Sequence, residues 1–409
     1  MSDRRKAKLP AHAQLLLPLL EAVAESGGTA TPSEVYDRLT DRFALPQDVL
    51  DLTIPVGRDG SGTQSRFHHR IRWVRQSAIA KGLLRAPKRG IWELTDLAEG
   101  KLGLSRPGLV ITVFETERGQ VLWGQAEDAT AVIEPGTVDL LYTSPPYPLL
   151  KPKEYGNLQT AEWLDWMSGL AQGWKTLLGD QGSLVLNLGS VGMKNSPAQD
   201  PYIERFTLRL IDELGYHLID RMALRNPSKP PVPRLWVAVR RVRLKGSLES
   251  VLWFSPSATP TADNRRVLQP YKASTVRNRK QAETASWGRG RQTRAGGGMQ
   301  ISEKIYQDNG GAIPDVLFDA APEGPNSLWR RACKMAGCNQ HPAISPRKPI
   351  ETMIGLTTEP GDLVYDPFGG SLLTAKVAED LGRRWITTER SLDYIKSGCL
   401  RFETAGKGQ

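Results

Sequence analysis

Cysteine is scarce: Cys333, Cys338 and Cys399 are the three in 409 residues. That number excludes a disulfide scaffold and suits a reducing compartment. No Cys or His pair at ligand spacing accompanies Cys333 and Cys338, so they read as ordinary thiols and no metal is expected. No apolar run reaches membrane-spanning length. The opening MSDRRKAKLP is basic but has no apolar segment of signal-peptide type behind it. A cytoplasmic protein without a membrane partner is therefore expected. Internal repeats are absent, as are G-x-G-x-x-G and a Walker lysine. This argues against a pyrophosphate cradle and an NTPase loop. Acidic side chains are outnumbered, 44 against 54 Lys and Arg, for a net charge of +10. Such an excess suggests a polyanionic partner without naming it.

The first hundred residues read as a small, mainly helical unit. Leu15, Leu16, Leu19, Leu20 and Val23 recur at helical spacing. Thr31-Pro32-Ser33-Glu34 is a helix start, with Thr31 as N-cap, Pro32 in the first turn and Glu34 completing a capping box. In the next helix Ile71, Val74, Ala78 and Ile79 can face inward, leaving Arg66, Arg70, Arg72 and Arg75 available. Lys88-Arg89-Gly90 then makes a turn and Ile91–Thr95 a short strand. Helices followed by a basic turn and strand suggest a winged helix. Through R-x-R-W and K-R-G-x-W-x-L-T, residues 10–103 resemble the N-terminal domain of the Mrr family of restriction proteins. That resemblance implies DNA contact through the four arginines and through Lys88 and Arg89; a helical packing or dimerisation unit is the alternative.

Residues 1–103 are thus expected to form one domain, 104–120 a linker and 121–409 a second domain. The second has an α/β pattern: strands at 138–142, 183–188, 216–223 and 248–254 alternate with helices, arguing for a mainly parallel, Rossmann-like sheet. Residues 257–312 break the pattern. They are rich in Arg and Gly and poor in acid, as in a long functional loop. Arg265, Arg266, Lys272, Arg277, Arg279, Arg289 and Arg291 are its candidate contacts to a polyanion.

Two turns carry chemistry. Leu363–Asp366 reads as a buried strand, Pro367-Phe368-Gly369-Gly370-Ser371 as a tight turn, Leu372–Leu381 as a helix and Arg384–Glu389 as the next strand. Glycines let a backbone approach a ligand closely. Glu389 stands twenty residues past Gly369, the spacing at which an acid meets ribose hydroxyls. An adenosine cofactor fits without a pyrophosphate. The other turn, Thr143-Ser144-Pro145-Pro146-Tyr147, follows the strand 138–142. Ligands of open α/β sheets bind beyond the carboxyl ends of strands, so the two turns can share one crevice. The amino nitrogen of a nucleobase is a poor nucleophile because its lone pair is delocalised into the ring. Acceptors on its hydrogens favour a pyramidal, more nucleophilic nitrogen. The Ser144 hydroxyl and the carbonyl of Ser144 or Pro145 can supply them, the prolines fix φ, and Tyr147 can stack on the base.

On these residues 121–403 resemble the β-class amino-methylating DNA methyltransferases. In that class the catalytic motif comes first, the target-recognition region follows and the cofactor motif lies near the carboxyl terminus. Ser144-Pro145-Pro146-Tyr147 matches the catalytic motif, Asp366–Ser371 the cofactor loop and Glu389 its acid. Asn326 and Ser327, His341 and Pro342, and Lys348 look like the segment closing on the methionine end of the cofactor, with Thr143 beside it. The stretch 326–402 is most similar to the PvuII-like, N4-cytosine members. S-P-P-Y is the version associated with cytosine N4, whereas adenine enzymes more often carry D-P-P-Y. The resemblance implies S-adenosylmethionine as cofactor, double-stranded DNA as partner and nucleoid association. It leaves open a cognate restriction endonuclease, a homodimer, adenine N6 as target, and a regulator with an inactive methylase domain. None of the three cysteines follows a proline, which argues against attack at cytosine C5. The sequence departs from the family at Leu372, where glycine or asparagine is usual, and at Thr387-Thr388 before the acid.

Overall fold

The structure is a computed structural model describing residues 9–10, 12–43, 45–56, 62–95, 107–148, 158–273, 276, 310–320 and 328–403. The chain begins with α1 (His12–Glu25), β1 (Thr29–Ala30), α2 (Pro32–Phe43), α3 (Gln47–Leu50), β2 (Thr53–Val56), β3 (Gly62–Ser65), α4 (Arg66–Ala80), β4 (Leu84–Arg85) and β5 (Trp92–Leu94). The capping box at α2 forms: Thr31 N donates to Glu34 Oε2 at 2.7 Å, and Glu34 N to Thr31 Oγ1 at 3.4 Å. Helix α4 hides Phe67, Ile71, Val74 and Ala78 along one stripe, the spacing that aligns a helical face. The small sheet runs β1-β5-β4, and β2 and β3 pair as a hairpin.

There follow β6 (Ile111–Glu115), β7 (Gly119–Trp123), α5 (Ala126–Thr130), β8 (Val138–Thr143), α6 (Thr160–Leu177), β9 (Leu178–Gly189), α7 (Tyr202–Leu208), β10 (His217–Arg225), β11 (Leu248–Ser255), β12 (Leu317–Asp319), α8 (Leu328–Met335), α9 (Arg347–Thr357), β13 (Leu363–Asp366), α10 (Leu373–Asp380), β14 (Arg384–Glu389) and α11 (Leu392–Glu403). The expected linker 104–120 is corrected: β6 and the start of β7 lie in it. Ile111 and Val113 alternate into the core and pair β6 with β7 as a sheet edge. The stretch is too short and too polar at 115–120 to read as buried strand from sequence.

One nine-stranded sheet orders these strands β12-β10-β11-β9-β8-β13-β14-β7-β6. From β9 to β7 the pairs are parallel. From β13 the chain moves to β14 on one side, while β8 moves to β9 on the other, so the order reverses between β13 and β8. A crevice opens at such a switch point. Apolar residues alternate onto both faces. Leu141, Leu184, Leu186 and Tyr365 meet α6 and α7 through Trp163, Met167, Trp174 and Phe206. Leu140, Tyr142, Val185 and Val364 meet Met353, Ile354, Val377 and Ile395. This second layer continues without a break into Leu15, Leu19, Val23 and Phe67 of the N-terminal part. Two sequence regions thus share one core. Glu21, itself buried, also meets Lys396 of α11 at 2.9 Å and Arg42 of α2. Among the described residues no helix is long and apolar enough to cross a membrane.

Leu19 is fully buried in that shared layer. Leu19→Ala is expected to destabilise the chain by about 2–4 kcal/mol and to shift one cooperative transition in urea. A separate early transition of the N-terminal part, with the rest unmoved, would contradict the continuous core.

Candidate active site

Strands β8 and β13 pair in parallel, with Val364 opposite Leu140 and Tyr365 opposite Leu141. Their carboxyl ends therefore finish side by side, and a buried hydrogen bond joins them: Thr143 Oγ1 donates to Asp366 Oδ1 at 2.8 Å. Phe368 N donates to the same oxygen at 3.0 Å. Burial pushes the Asp366 carboxyl up, while bonds from the Thr374 and Thr143 hydroxyls and from Phe368 N pull the other way. Thr143 and Asp366, both expected at the cofactor, turn their polar atoms on each other and tie the two turns together.

Beyond Thr143, Ser144 Oγ donates to the main-chain oxygen of Asn187 at 3.2 Å and lies 3.2 Å from Tyr147 Oη. Pro146 O accepts from Trp163 Nε1 at 2.6 Å, and Pro145 is buried. The Tyr147 ring lies on Gly189 so closely that a Cβ there would stand 2.7 Å from Cε2. Any side chain at position 189 would displace the tyrosine. Asn187 was not foreseen. Besides receiving Ser144, it is buried, and its Oδ1 lacks a hydrogen-bond partner among the described residues. In sequence it is one polar residue inside an apolar strand.

At the glycine turn Gly370 N donates to Glu389 Oε2 at 2.9 Å and Ser391 N to Oε1 at 2.7 Å. Burial raises the Glu389 carboxyl's pKa against these two bonds. Gly370 has φ +48°, and a Cβ there would sit 3.3 Å from the His341 ring, which meets Tyr394 edge-on. Arg401, also unforeseen, donates from Nε to Ser371 O at 2.7 Å and from Nη2 to Ser371 Oγ at 3.2 Å, with its guanidinium 4.1 Å from the Trp329 ring centre. Phe368 packs edge-on against Trp166 and Trp174. Leu372 holds φ 56° and is fully buried. Its departure from the family thus falls on a left-handed position, where a leucine costs about 1–2 kcal/mol and side-chain burial offsets a comparable amount. Pro342 and Lys348 are exposed, the latter in the first turn of α9. Asn326 and Ser327 lie outside the described residues.

The expected DNA contacts divide. Arg265 pairs with Asp263, whose carboxyl it holds down to about 2. Arg266 is held by Glu359 and Thr358 O. Arg70 bonds Leu9 O and Pro10 O at 3.1 and 2.6 Å, so it is not the available cation that helical spacing suggested. Arg72 and Arg75 line a cavity of about 390 Å³ with Lys88, Arg89 and Trp92. In it Arg72 Nε donates to Tyr36 Oη at 2.9 Å, and the buried Arg75 Nε has no hydrogen-bond partner among the described residues, its guanidinium lying 5.7 Å from the Trp92 ring centre. Arg66 and Lys272 are exposed; Arg277, Arg279, Arg289 and Arg291 fall outside the described residues. Among the described residues no group of three or more His, Cys, Asp or Glu could hold a metal.

Replacing Thr143 by valine keeps the shape and removes one donor to buried Asp366. Thr143→Val is expected to cost about 1–3 kcal/mol, read as the urea midpoint. An unchanged midpoint would contradict the role given to this bond.

A DNA methylase family model matches residues 138–398, and an Mrr N-terminal domain model matches 12–102. Type II methyltransferase M.PvuII of Proteus hauseri is 36% identical over 289 residues, 71% of this chain and 85% of that protein. Type II methyltransferase M.BglII of Bacillus subtilis is 25% identical over 268 residues, 64% of this chain and 63% of that protein. The solved PvuII DNA methyltransferase (cytosine-N4-specific) superposes with a TM-score of 0.57 at 32% identity, covering 71% of this chain and 88% of that one.

Proposed function

The chain belongs to the DNA methylase family and carries an Mrr N-terminal domain, and we propose that it methylates the N4 amino group of cytosine in double-stranded DNA, using S-adenosylmethionine. The observation that carries this reading is the Thr143–Asp366 bond, which brings Ser144-Pro145-Pro146-Tyr147 beside the glycine turn. The N4 preference is supported by that motif and by the similarity to a cytosine-N4-specific enzyme over 71% of the chain.

The residues fit the cofactor. Glu389 ends β14, and each of its oxygens keeps acceptor capacity after taking one N–H, which suits ribose hydroxyls. Gly370 leaves backbone without a side chain facing His341, and at Gly369 a Cβ would collide with the Thr387 hydroxyl. When bound, the cofactor supplies an electrophilic methyl group on a sulfonium. The chain's own residues prepare the nucleophile. A target base must leave the duplex to reach the Ser144 turn, where the Tyr147 ring, braced by Gly189, offers a stacking face. Because Ser144 Oγ gives its proton to Asn187 O, it can only accept elsewhere: Tyr147 Oη, 3.2 Å away, engages one lone pair and the other is left for an amino hydrogen. The carbonyl of Ser144 or Pro145 takes the other, and no proline N–H competes for the nitrogen lone pair. The site works by alignment and by exclusion of water. On this reading the protein acts on chromosomal DNA in the nucleoid, and a restriction endonuclease of the same target is its natural counterpart.

Mass spectrometry of nucleosides from DNA of expressing cells is expected to find N4-methylcytosine; N6-methyladenine in its place would contradict the reading. Ser144→Ala and Tyr147→Ala are each expected to lower kcat by about a hundredfold or more with the cofactor dissociation constant unchanged. Full turnover in both would remove the roles assigned to them. Glu389→Ala is expected to weaken cofactor binding in calorimetry, and unaltered affinity would count against that contact.

A further inference from the structure

The arm 226–247 between β10 and β11 has no part in the chemistry above. It holds Lys229, Arg234, Arg240, Arg241, Arg243 and Lys245 and no acidic residue. Its place in the sheet matters. Glu249, at the start of β11, pairs with Gly189 at the end of β9, and Gly189 is the residue on which Tyr147 rests. The arm therefore leaves the sheet on the edge that carries Thr143, Asp366 and Glu389. Its neck is tied: Asn226 N donates to Ser247 O at 2.7 Å, Lys229 pairs with Glu249 at 2.5 Å, and Lys245 Nζ donates to Pro227 O at 2.5 Å. A π-helical turn, Leu235–Val239, fills the middle, and Val242 N returns to Trp236 O at 2.9 Å.

Arg234, Arg240 and Arg241 are exposed and Arg243 is half-buried. Arg234, Arg240, Arg241 and Arg243 make no ion pair or side-chain hydrogen bond with any described residue. Surface arginines elsewhere in the chain, such as Arg225, Arg265 and Arg347, do have acidic partners. Between them Val239, Val242 and Leu244 are 62, 62 and 92% exposed. Apolar side chains interleaved with free cations are the mark of a surface that something covers.

We propose that the arm 226–247 is a duplex-DNA contact in which Arg240, Arg241 and Arg243 grip backbone phosphates flanking the extruded base. The proposal rests on the methylase reading for its geometry: a strand that delivers a base to the Ser144 turn carries its neighbouring phosphates past this edge. Unpaired guanidiniums suit phosphate oxygens, and such contacts position a protein on DNA without reading sequence. The exposed valines and leucine then lie against sugars and base edges rather than water.

The test is binding of the full chain to a short fluorescent duplex, without methyl donor, across a salt series. With Arg240→Gln, Arg241→Gln and Arg243→Gln combined, affinity at moderate salt is expected to fall by about tenfold or more. The slope of log K against log salt becomes shallower by about 0.9 for each phosphate that is no longer neutralised. Thermal midpoint and cofactor affinity stay at wild-type values; if the triple variant unfolds, Arg240→Gln alone reads the same slope change on a single exposed side chain. Wild-type affinity and slope in these variants, or no duplex binding by the parent chain, overturn the proposal. So does loss of binding to vesicles containing phosphatidylserine with duplex binding intact, which would make the arm a membrane contact. A parent chain that binds duplex through the arm but transfers no methyl group sinks the methylase reading and leaves the arm standing.

Discussion

The hydrogen bond from Thr143 to Asp366 joins residues 223 positions apart in the chain, and the site depends on it. It is possible because β8 and β13 are neighbouring parallel strands whose carboxyl ends coincide. It is strong because both groups are buried, where water cannot compete and a missing partner is costly. On one side of it the chain enters the two prolines and Tyr147. On the other, Phe368 N completes the same carboxylate and the backbone turns into the two glycines, of which Glu389 holds Gly370. On the proposed reading a nucleophile and a methyl donor must meet within a fraction of an ångström, and the frame offered for aligning them is a sheet rather than a flexible loop.

The strands and the two turns were legible because each is encoded locally. Short apolar runs end in turn residues at Thr143 and Asp366, and Thr31 and Glu34 cap each other within four positions. What was not legible depends on partners distant in sequence. Nothing around Arg70 says that its guanidinium is spent on Leu9 and Pro10, and nothing around Arg401 says that it reaches Ser371. Asn187 looks like an interruption of a strand until Ser144 is placed against its carbonyl. The linker at 104–120 failed for a related reason. An edge strand buries few side chains, so β6 leaves a weak alternation.

Leu372 shows how a departure from a family pattern can be absorbed. The turn needs a left-handed residue there, glycine supplies it cheaply, and the leucine compensates by burying its whole side chain. The N-terminal part is likewise no loose attachment. Its leucines continue the layer that contains Ile395 of α11, the helix whose Arg401 clamps the glycine turn at Ser371. The basic cavity by Trp92 and the proposed catalytic crevice therefore belong to one packed body.

The most direct measurement is a double-mutant cycle on kcat/KM for methyl transfer, using Thr143→Val, Asp366→Asn and both together. If the bond between these side chains aligns the two turns, the effects are coupled by about 1 kcal/mol or more, and the double variant is little worse than the poorer single one. Strictly additive losses would mean that the two groups act separately and that something else brings the halves of the site together.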